Sequence, residues 1–369
     1  MRQQDYSLTE IGLLQLVKLP WILKFIWAPL VDAKSKGTSD FKKWIFSSEL
    51  IYALFITAIA YLDLAINFEL IIIFLVFAFA ASATQDIATD ALAIIILKKD
   101  ERSIGNSMQS GGSFLGTVIG SGVLLIIYSI YGWKMLMFGL AAFVVIALIP
   151  LLFYKNNTLK VHTNAKKVSI KDLYYFFEQN GILKHIILLF FFYSGIIGTL
   201  TMLKPWLVDL GYNIVQIGIY SGIYGASAGF VSALLAGWII KKVGRRKGIQ
   251  FFLFYGIIVS LYFVAISYLQ LSTYIVIPAL LLIWSVYGVN SVSIYTIAMD
   301  AVRQGREGTD FTIQIVFTHL GSLLLAVLSG VIAHKLGYQG LFILESLLAT
   351  SLFILFPKLY SFKTIQDVN

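Results

Sequence analysis

Ionisable residues inside long apolar stretches are the part of this sequence best placed to do chemistry. Lys18 and Lys24 lie in the stretch 7–31, and Asp86 and Asp90 in the stretch 69–97. The two aspartates are four positions apart, which puts both carboxylates on one face of a helix. A charge in apolar surroundings needs a partner or a water-filled cavity, because burying it alone is costly. The arrangement predicts a lysine–carboxylate pair between neighbouring helices, with Lys24 and Asp86 as its members. The plainer alternative is that Lys24 and Asp90, towards helix ends, reach the lipid headgroups. Asp300 closes the stretch 273–301 and is expected either to pair with Arg303 or Arg306 as a gate, or to stay solvated. Gln109 and Gln314 are amides on glycine- or serine-rich stretches, suited to hold a polar ligand or to join two helices. His319 has the titration range for proton coupling, with packing as its other reading. Lys204-Pro205-Trp206 sets a cation beside an aromatic ring at a helix end, fit for an anionic ligand or for interfacial anchoring. Glu345, on the last apolar stretch, is expected to be structural.

These residues do not compose a catalytic centre. The chain has no cysteine, and His162, His185, His319 and His334 lack ligand spacing or a clustered carboxylate. No enzyme activity, metal or cofactor is expected.

The elements that must position these residues follow from composition. Of 369 residues, 59% are hydrophobic and 13% charged, with a mean hydropathy of +0.84. A soluble domain needs far more polar surface. The apolar stretches predict helices at 7–31, 44–64, 69–97, 104–131, 133–154, 182–208, 213–240, 248–269, 273–301, 309–334 and 338–358. Each is near or above the ~20 residues that cross a bilayer core. Barrel strands would be shorter and would alternate in polarity. The expected fold class is therefore all-α, a polytopic membrane bundle of about eleven spans.

The net charge of +9 would suit nucleic acid, but its distribution argues for a lipid bilayer as the partner. Of the 28 basic residues, 22 fall in one alternate set of loops and three (Arg2, Lys134 and Lys335) in the other. The rich set is expected to be cytoplasmic, which puts the C-terminus inside and the N-terminus of this chain outside. The stretch 155–181 divides the sequence into 1–154 and 182–369, and within it Ile170 to Phe177 reads as a short amphipathic surface helix. The first residues carry no signal-peptide pattern.

The two parts repeat each other. Tyr6–Gly12 (YSLTEIG) matches Tyr212–Gly218, Gln85–Ala91 (QDIATDA) matches Tyr295–Ala301, and Ser107–Gly116 matches Thr312–Gly321. The order is the same and the offset nearly constant, as in parallel six-helix repeats. The second part has six expected spans and the first has five. The repeat thus predicts that the span before Tyr6 is missing, through a late start or a real loss.

Leu19–Asp32 (LPWILKFIWAPLVD), followed by Ala83–Ala91 (ATQDIATDA), resembles two branches of the major facilitator superfamily. These are the AmpG-type muropeptide permeases and the RhtX/FptX-type siderophore importers. Lys204–Gly211 (KPWLVDLG), Met299–Arg303 (MDAVR) and Gly308–Gln314 (GTDFTIQ) look more like the siderophore branch. Gly237–Lys247 (GWIIKKVGRRK) is similar to the superfamily's loop element, with Lys241 where an aspartate is usual; in the first part Asp32 keeps the acid. The resemblance implies cytoplasmic gating by Asp32, Gly237, Gly244, Arg245 and Arg246 together with Asp300 and Arg303. It also implies a single-chain inner-membrane carrier working by alternating access, with a proton as coupling ion. The expected small-molecule substrate is a siderophore or, as the rival cargo, a muropeptide. A sensor built on the same fold, without transport, is the third reading.

The glycines Gly222, Gly225 and Gly229, with Gly112, Gly116 and Gly120, recur at or near small-xxx-small spacing and are expected to seat neighbouring helices.

Overall fold

The structure is a computed structural model that describes residues 19–63, 66–154, 168–269 and 272–360. Lys18, the Tyr6–Gly12 member of the repeat, the lysines between 155 and 167, His162 and Lys363 lie outside the described residues. Among the described residues every regular element is helical and no strand occurs. The all-α expectation is met, for the reason that a bilayer gives: backbone groups must be paired within each segment.

Six of these helices are long and apolar enough to cross a membrane, at Phe68–Ile96, Ile126–Phe153, Ile214–Val243, Arg245–Ile266, Thr273–Asp300 and Glu307–Leu359. The last has 53 residues, or roughly 80 Å of helix, more than twice a ~30 Å hydrocarbon core. It holds two crossings, because Gly337 at φ 70° turns the chain between the expected helices 309–334 and 338–358. Gly132, at φ 74°, does the same between 104–131 and 133–154. Only glycine enters that conformation without a Cβ clash.

Two compact units divide the chain. The first gathers 1–96, 124–176 and 302–313. It opens with α1 (Leu19–Leu23), a 3-10 turn at Lys24–Ile26, and α2 (Ala28–Lys34), started by Pro29 in its first turn. α3 (Thr38–Ile59) and α4 (Phe68–Ile96) follow, then α6 (Leu124–Ala147), α7 (Ile149–Phe153) and α8 (Asp172–Phe177). One packed cluster joins Ala28, Val31, Phe41, Ile45, Ile87, Ala88, Ala91, Leu92 and Leu148. A second joins Ala53, Ile56, Ile59, Ala60, Ile71, Ala78, Met137 and Ala141. The alanines let helix backbones approach, which is how helices associate where lipid competes for apolar contact.

The second unit gathers 97–123, 177–301 and 314–369. It contains α5 (Arg102–Val118), α9 (Ile182–Phe190), α10 (Ile197–Asp209), α11 (Ile214–Ile217), α12 (Ala226–Val243), α13 (Arg245–Ile266) and α14 (Thr273–Asp300). Most of α15 (Glu307–Leu359) also belongs here. The expected helix 182–208 is interrupted between α9 and α10, where Gly195 takes φ 90°. π-helical turns fill Ile119–Val123 and Gly218–Gly225.

The packing role expected of the glycines holds for Gly225 and Gly229. A Cβ on Gly229 would meet the Phe114 ring at 2.7 Å, and Gly225 lies under the Trp284 indole. Among the described residues nothing from another element lies within 4 Å of the Cβ position of Gly112, Gly116 or Gly120.

Candidate functional site

The first unit holds several paired charges. Lys24 is 2% exposed and pairs with Asp86, which α4 carries across to it. The Trp21 ring lies 4.8 Å from the Lys24 ammonium, and Trp27 Nε1 donates to Thr84 Oγ1 at 3.1 Å. A buried ammonium thus has both a counter-ion and an aromatic face. Asp90 is buried one turn further along α4.

Asp32 closes the start of α15. Its carboxylate accepts from Gly308 N at 3.0 Å, Thr309 N at 2.7 Å and Thr309 Oγ1 at 2.6 Å. These are orphan donors of a helix N-terminus, satisfied by a residue distant in sequence. Beside it, Arg303 grips Asp310 in a two-pronged contact of 2.8 and 2.6 Å and donates to Asp172 O at 2.9 Å. Arg306 Nε reaches Asp172 Oδ1 at 2.8 Å. Burial tends to raise the Asp172 carboxyl, but Arg306, the Ser169 N–H and Arg303 outweigh it and hold it below the usual carboxylate range. Asp310 and Asp172 likewise outweigh desolvation and hold the Arg303 guanidinium above its ordinary value.

In the second unit Asp300 makes different partnerships from those expected. It accepts a hydrogen bond from Arg102 at 3.1 Å and forms an ion pair with Arg245 at 2.7 Å, and Arg102 also donates to Met299 O at 2.8 Å. Arg303 and Arg306 do not serve it, because their guanidinium groups are taken by Asp310 and Asp172. Arg245 also donates to Lys99 O. Gly237 lets α12 touch α5: a Cβ there would lie 2.5 Å from Ser103 O, and Ser103 Oγ donates to Gly237 O at 3.0 Å. Gly244, at φ 89°, makes the turn from α12 to α13 that presents Arg245. Arg246 is exposed.

Between these helices, still within the second unit, lies a cavity of about 330 Å³. α5 lines it with Ser110, Ser113, Phe114 and Thr117, α14 with Trp284, Tyr287, Ser291 and Tyr295, and α15 with His319. Tyr193 enters from the break between α9 and α10, its hydroxyl 3.0 Å from Ser291 Oγ. The rings support one another edge to face: Phe114 lies 5.7 Å from Tyr287, and Trp284 6.2 Å from Tyr287. The buried Ser110 hydroxyl and Trp284 Nε1 have no hydrogen-bond partner among the described residues. A buried polar atom left unpaired costs ~1–3 kcal/mol. Such a wall offers π-faces and hydroxyls, with one imidazole and no fixed charge.

Of the residues expected to bind a ligand, His319 stands on this wall, accessible from it. Gln109 is half-buried beside Ser110 on α5. Gln314 is buried, where His185 Nε2 bonds its Oε1 at 2.7 Å and its own amide donates to Ala301 O at 3.4 Å. Lys204 is exposed on α10, whereas Trp206 turns inward against Phe263 and Phe342. The aromatic wall was absent from the sequence expectations. Its signal is present, since Trp284, Tyr287, Ser291 and Tyr295 recur at helical spacing on one face.

The profile of the Major Facilitator Superfamily matches residues 2–314. The anhydromuropeptide permease of Escherichia coli (strain K12) is 22% identical over 257 residues, covering 68% of this chain and 52% of that protein. The chain thus spans about half the length of that relative. "Putative transporter AmpG 3" of Rickettsia prowazekii (strain Madrid E) is 25% identical, covering 98% of this chain and 90% of that protein. Among solved structures, the Escherichia coli fucose:proton symporter FucP superposes with a TM-score of 0.75 at 15% identity, covering 96% of this chain and 92% of that one. The profile covers well over half of the sequence, and this chain belongs to the Major Facilitator Superfamily.

Proposed function

We propose that the chain is a secondary carrier of the bacterial inner membrane, importing a muropeptide-class solute by alternating access with a proton as coupling ion. The cavity carries this reading. Its volume lies within the ~300–1,000 Å³ range of small-molecule sites. Its walls come from both parts of the sequence, α5 from 1–154 and the 191–196 break, α14 and α15 from 182–369. Aromatic faces pack against the apolar faces of sugar rings, while Ser110, Ser113, Thr117, Ser291 and His319 offer hydrogen bonds. The relative named as an anhydromuropeptide permease supports the same cargo.

The ionic contacts supply the moving parts. Asp32 on the α15 start and Arg102 with Asp300 tie segments of one sequence half to the other, and Arg303 and Arg306 tie Asp172 of the dividing stretch to the second half. They stand on the lysine-rich side, which this reading makes cytoplasmic, with the C-terminus inside and the N-terminus of this chain outside. Opening of the Asp300 contacts, which belong to the same unit as the cavity, would admit it to the cytoplasm, as one repeat rocks against the other. The carrier works as a single chain.

The test is uptake by proteoliposomes of the full chain, given a labelled anhydro-muramyl disaccharide peptide under an imposed proton gradient. Entry above empty liposomes, reduced roughly tenfold by Trp284→Ala, is expected; that loss is ~1.4 kcal/mol of binding. The stretches similar to the siderophore branch make a ferri-siderophore the second cargo to offer. Entry of neither cargo would defeat the transport reading and favour a sensor.

A further inference from the structure

The helix that begins at Ile182 breaks at 191–196 and resumes at Ile197. The resumption leaves backbone N–H groups that, at membrane depth, only protein can satisfy. The Glu345 carboxylate on α15 lies against this resumption, its Oε1 2.2 Å from where a Cβ on Gly198 would stand. The same α15 face presses on the break one turn later: a Cβ on Gly195 would lie 2.5 Å from Ala349 Cβ and 2.7 Å from its backbone N. Ser260 of α13 fixes the other side by donating to Gly195 O at 2.8 Å.

Glu345 is 3% exposed, and its Oε2 has no hydrogen-bond partner among the described residues. The groups facing it are neutral. They are Gly198 at the start of α10, Ser329 from the preceding span of α15, and Ser260 with Tyr193 around the break. Among the described residues no ion pair to the Glu345 carboxylate occurs. Burial without a counter-ion favours the neutral acid, and a place beside the start of α10 favours the carboxylate. Opposed demands of this kind suit a group that gains and loses a proton reversibly.

The break reaches the cavity through Tyr193, which bonds Ser291 and packs 5.2 Å from Tyr287. We propose that Glu345 is a proton-binding site of the transport cycle, its charge setting the α9–α10 break and, through Tyr193, the cavity wall. In the ionised form the carboxylate holds the start of α10 and Tyr193 stays against Ser291. Oε2 then accepts a proton from hydronium, leaving water and a neutral acid. Oε1 becomes a weaker acceptor and the break loosens; release returns the proton to water on the opposite side. The link to the cycle rests on the transport reading above, whereas proton binding itself does not.

Infrared difference spectroscopy of the full chain in liposomes tests the site without any cargo. The wild type should show a protonated-carboxyl C=O band that fades as pH rises, absent from Glu345→Gln and shifted in Glu345→Asp. Identical titrating bands in wild type and Glu345→Gln would overturn the proposal. With the labelled anhydro-muramyl disaccharide peptide, Glu345→Gln should lose gradient-driven accumulation and keep exchange of preloaded cargo. Undiminished accumulation would overturn the coupling role. A wild type that moves no cargo would sink the transport reading alone, leaving the infrared bands to decide the proton site.

Discussion

Removing Asp86 and removing Lys24 should not be equivalent, although the two form one pair. Lys24 is 2% exposed and Asp86 21% exposed. Asp86→Asn therefore strands an ammonium that water cannot reach, with the Trp21 ring as partial compensation, while Lys24→Met leaves a carboxylate that water can still reach. Breaking a buried pair costs ~3–5 kcal/mol. Asp86→Asn should fall near the lower figure and Lys24→Met below it, with the double variant more stable than Asp86→Asn alone. Thermal unfolding of the purified protein in detergent checks the order. Asp172 gives a pH signature. Its folded pKa is lowered from 3.8, so its stabilisation is present above 3.8 and lost as pH falls through the lower folded value. Wild type should lose stability through that acid window, and Asp172→Asn should show a flatter profile. The Lys24–Asp86 pair was legible in sequence because charges in apolar stretches demand partners. The partners of Asp300 were not, since Arg102 and Arg245 lie far from it along the chain.

At the scale of elements, Asp32 does what local sequence does not provide for α15. The helix starts after Gly305 at φ 76°, and the acceptor for Gly308 and Thr309 comes from α2. Loss of a cap costs ~0.5–2 kcal/mol. Asp32→Ala should fall at the upper end, because three hydrogen bonds end on this carboxylate; Asp32→Asn keeps an acceptor and should lose about half as much. Reactivity of a single cysteine replacing Thr309 should rise with Asp32→Ala, and unchanged reactivity would count against the cap. Most helices were legible from apolar length, and the breaks at Gly132 and Gly337 fell where a glycine with polar neighbours interrupts two runs. The break at 191–196 was hidden within continuous apolar sequence, because its cause is tertiary: Glu345 and Ala349 on α15 hold it. The cavity wall was overlooked for a related reason. Aromatic residues are common in lipid-facing positions, and only the shared face of Trp284, Tyr287, Ser291 and Tyr295 separates this group from them.

For the molecule as a whole, the asymmetry of basic residues makes a prediction that does not depend on cargo. Lys98 and Lys242 belong to the rich set of loops, Lys134 and Lys335 to the poor set, and all four are exposed. Both sides carry aromatic companions of the kind found at membrane interfaces. Lys242 lies 5.0 Å from the Trp238 ring and Lys134 lies 4.7 Å from the Tyr61 ring. The chain has no cysteine, so each position can be tested against a silent background. A membrane-impermeant maleimide applied to intact inner-membrane vesicles of right-side-out orientation should label Lys134→Cys and Lys335→Cys at once. Lys98→Cys and Lys242→Cys should react only after the vesicles are opened. Each juxtamembrane lysine or arginine contributes ~1 kcal/mol of attraction to an anionic leaflet, so an excess this one-sided leaves little freedom of orientation. The reverse labelling pattern would place the Asp32, Asp172 and Asp300 contacts on the outer side. The Asp300 contacts would then close the cavity against entry instead of against release, and the direction of import proposed for the carrier would have to be inverted.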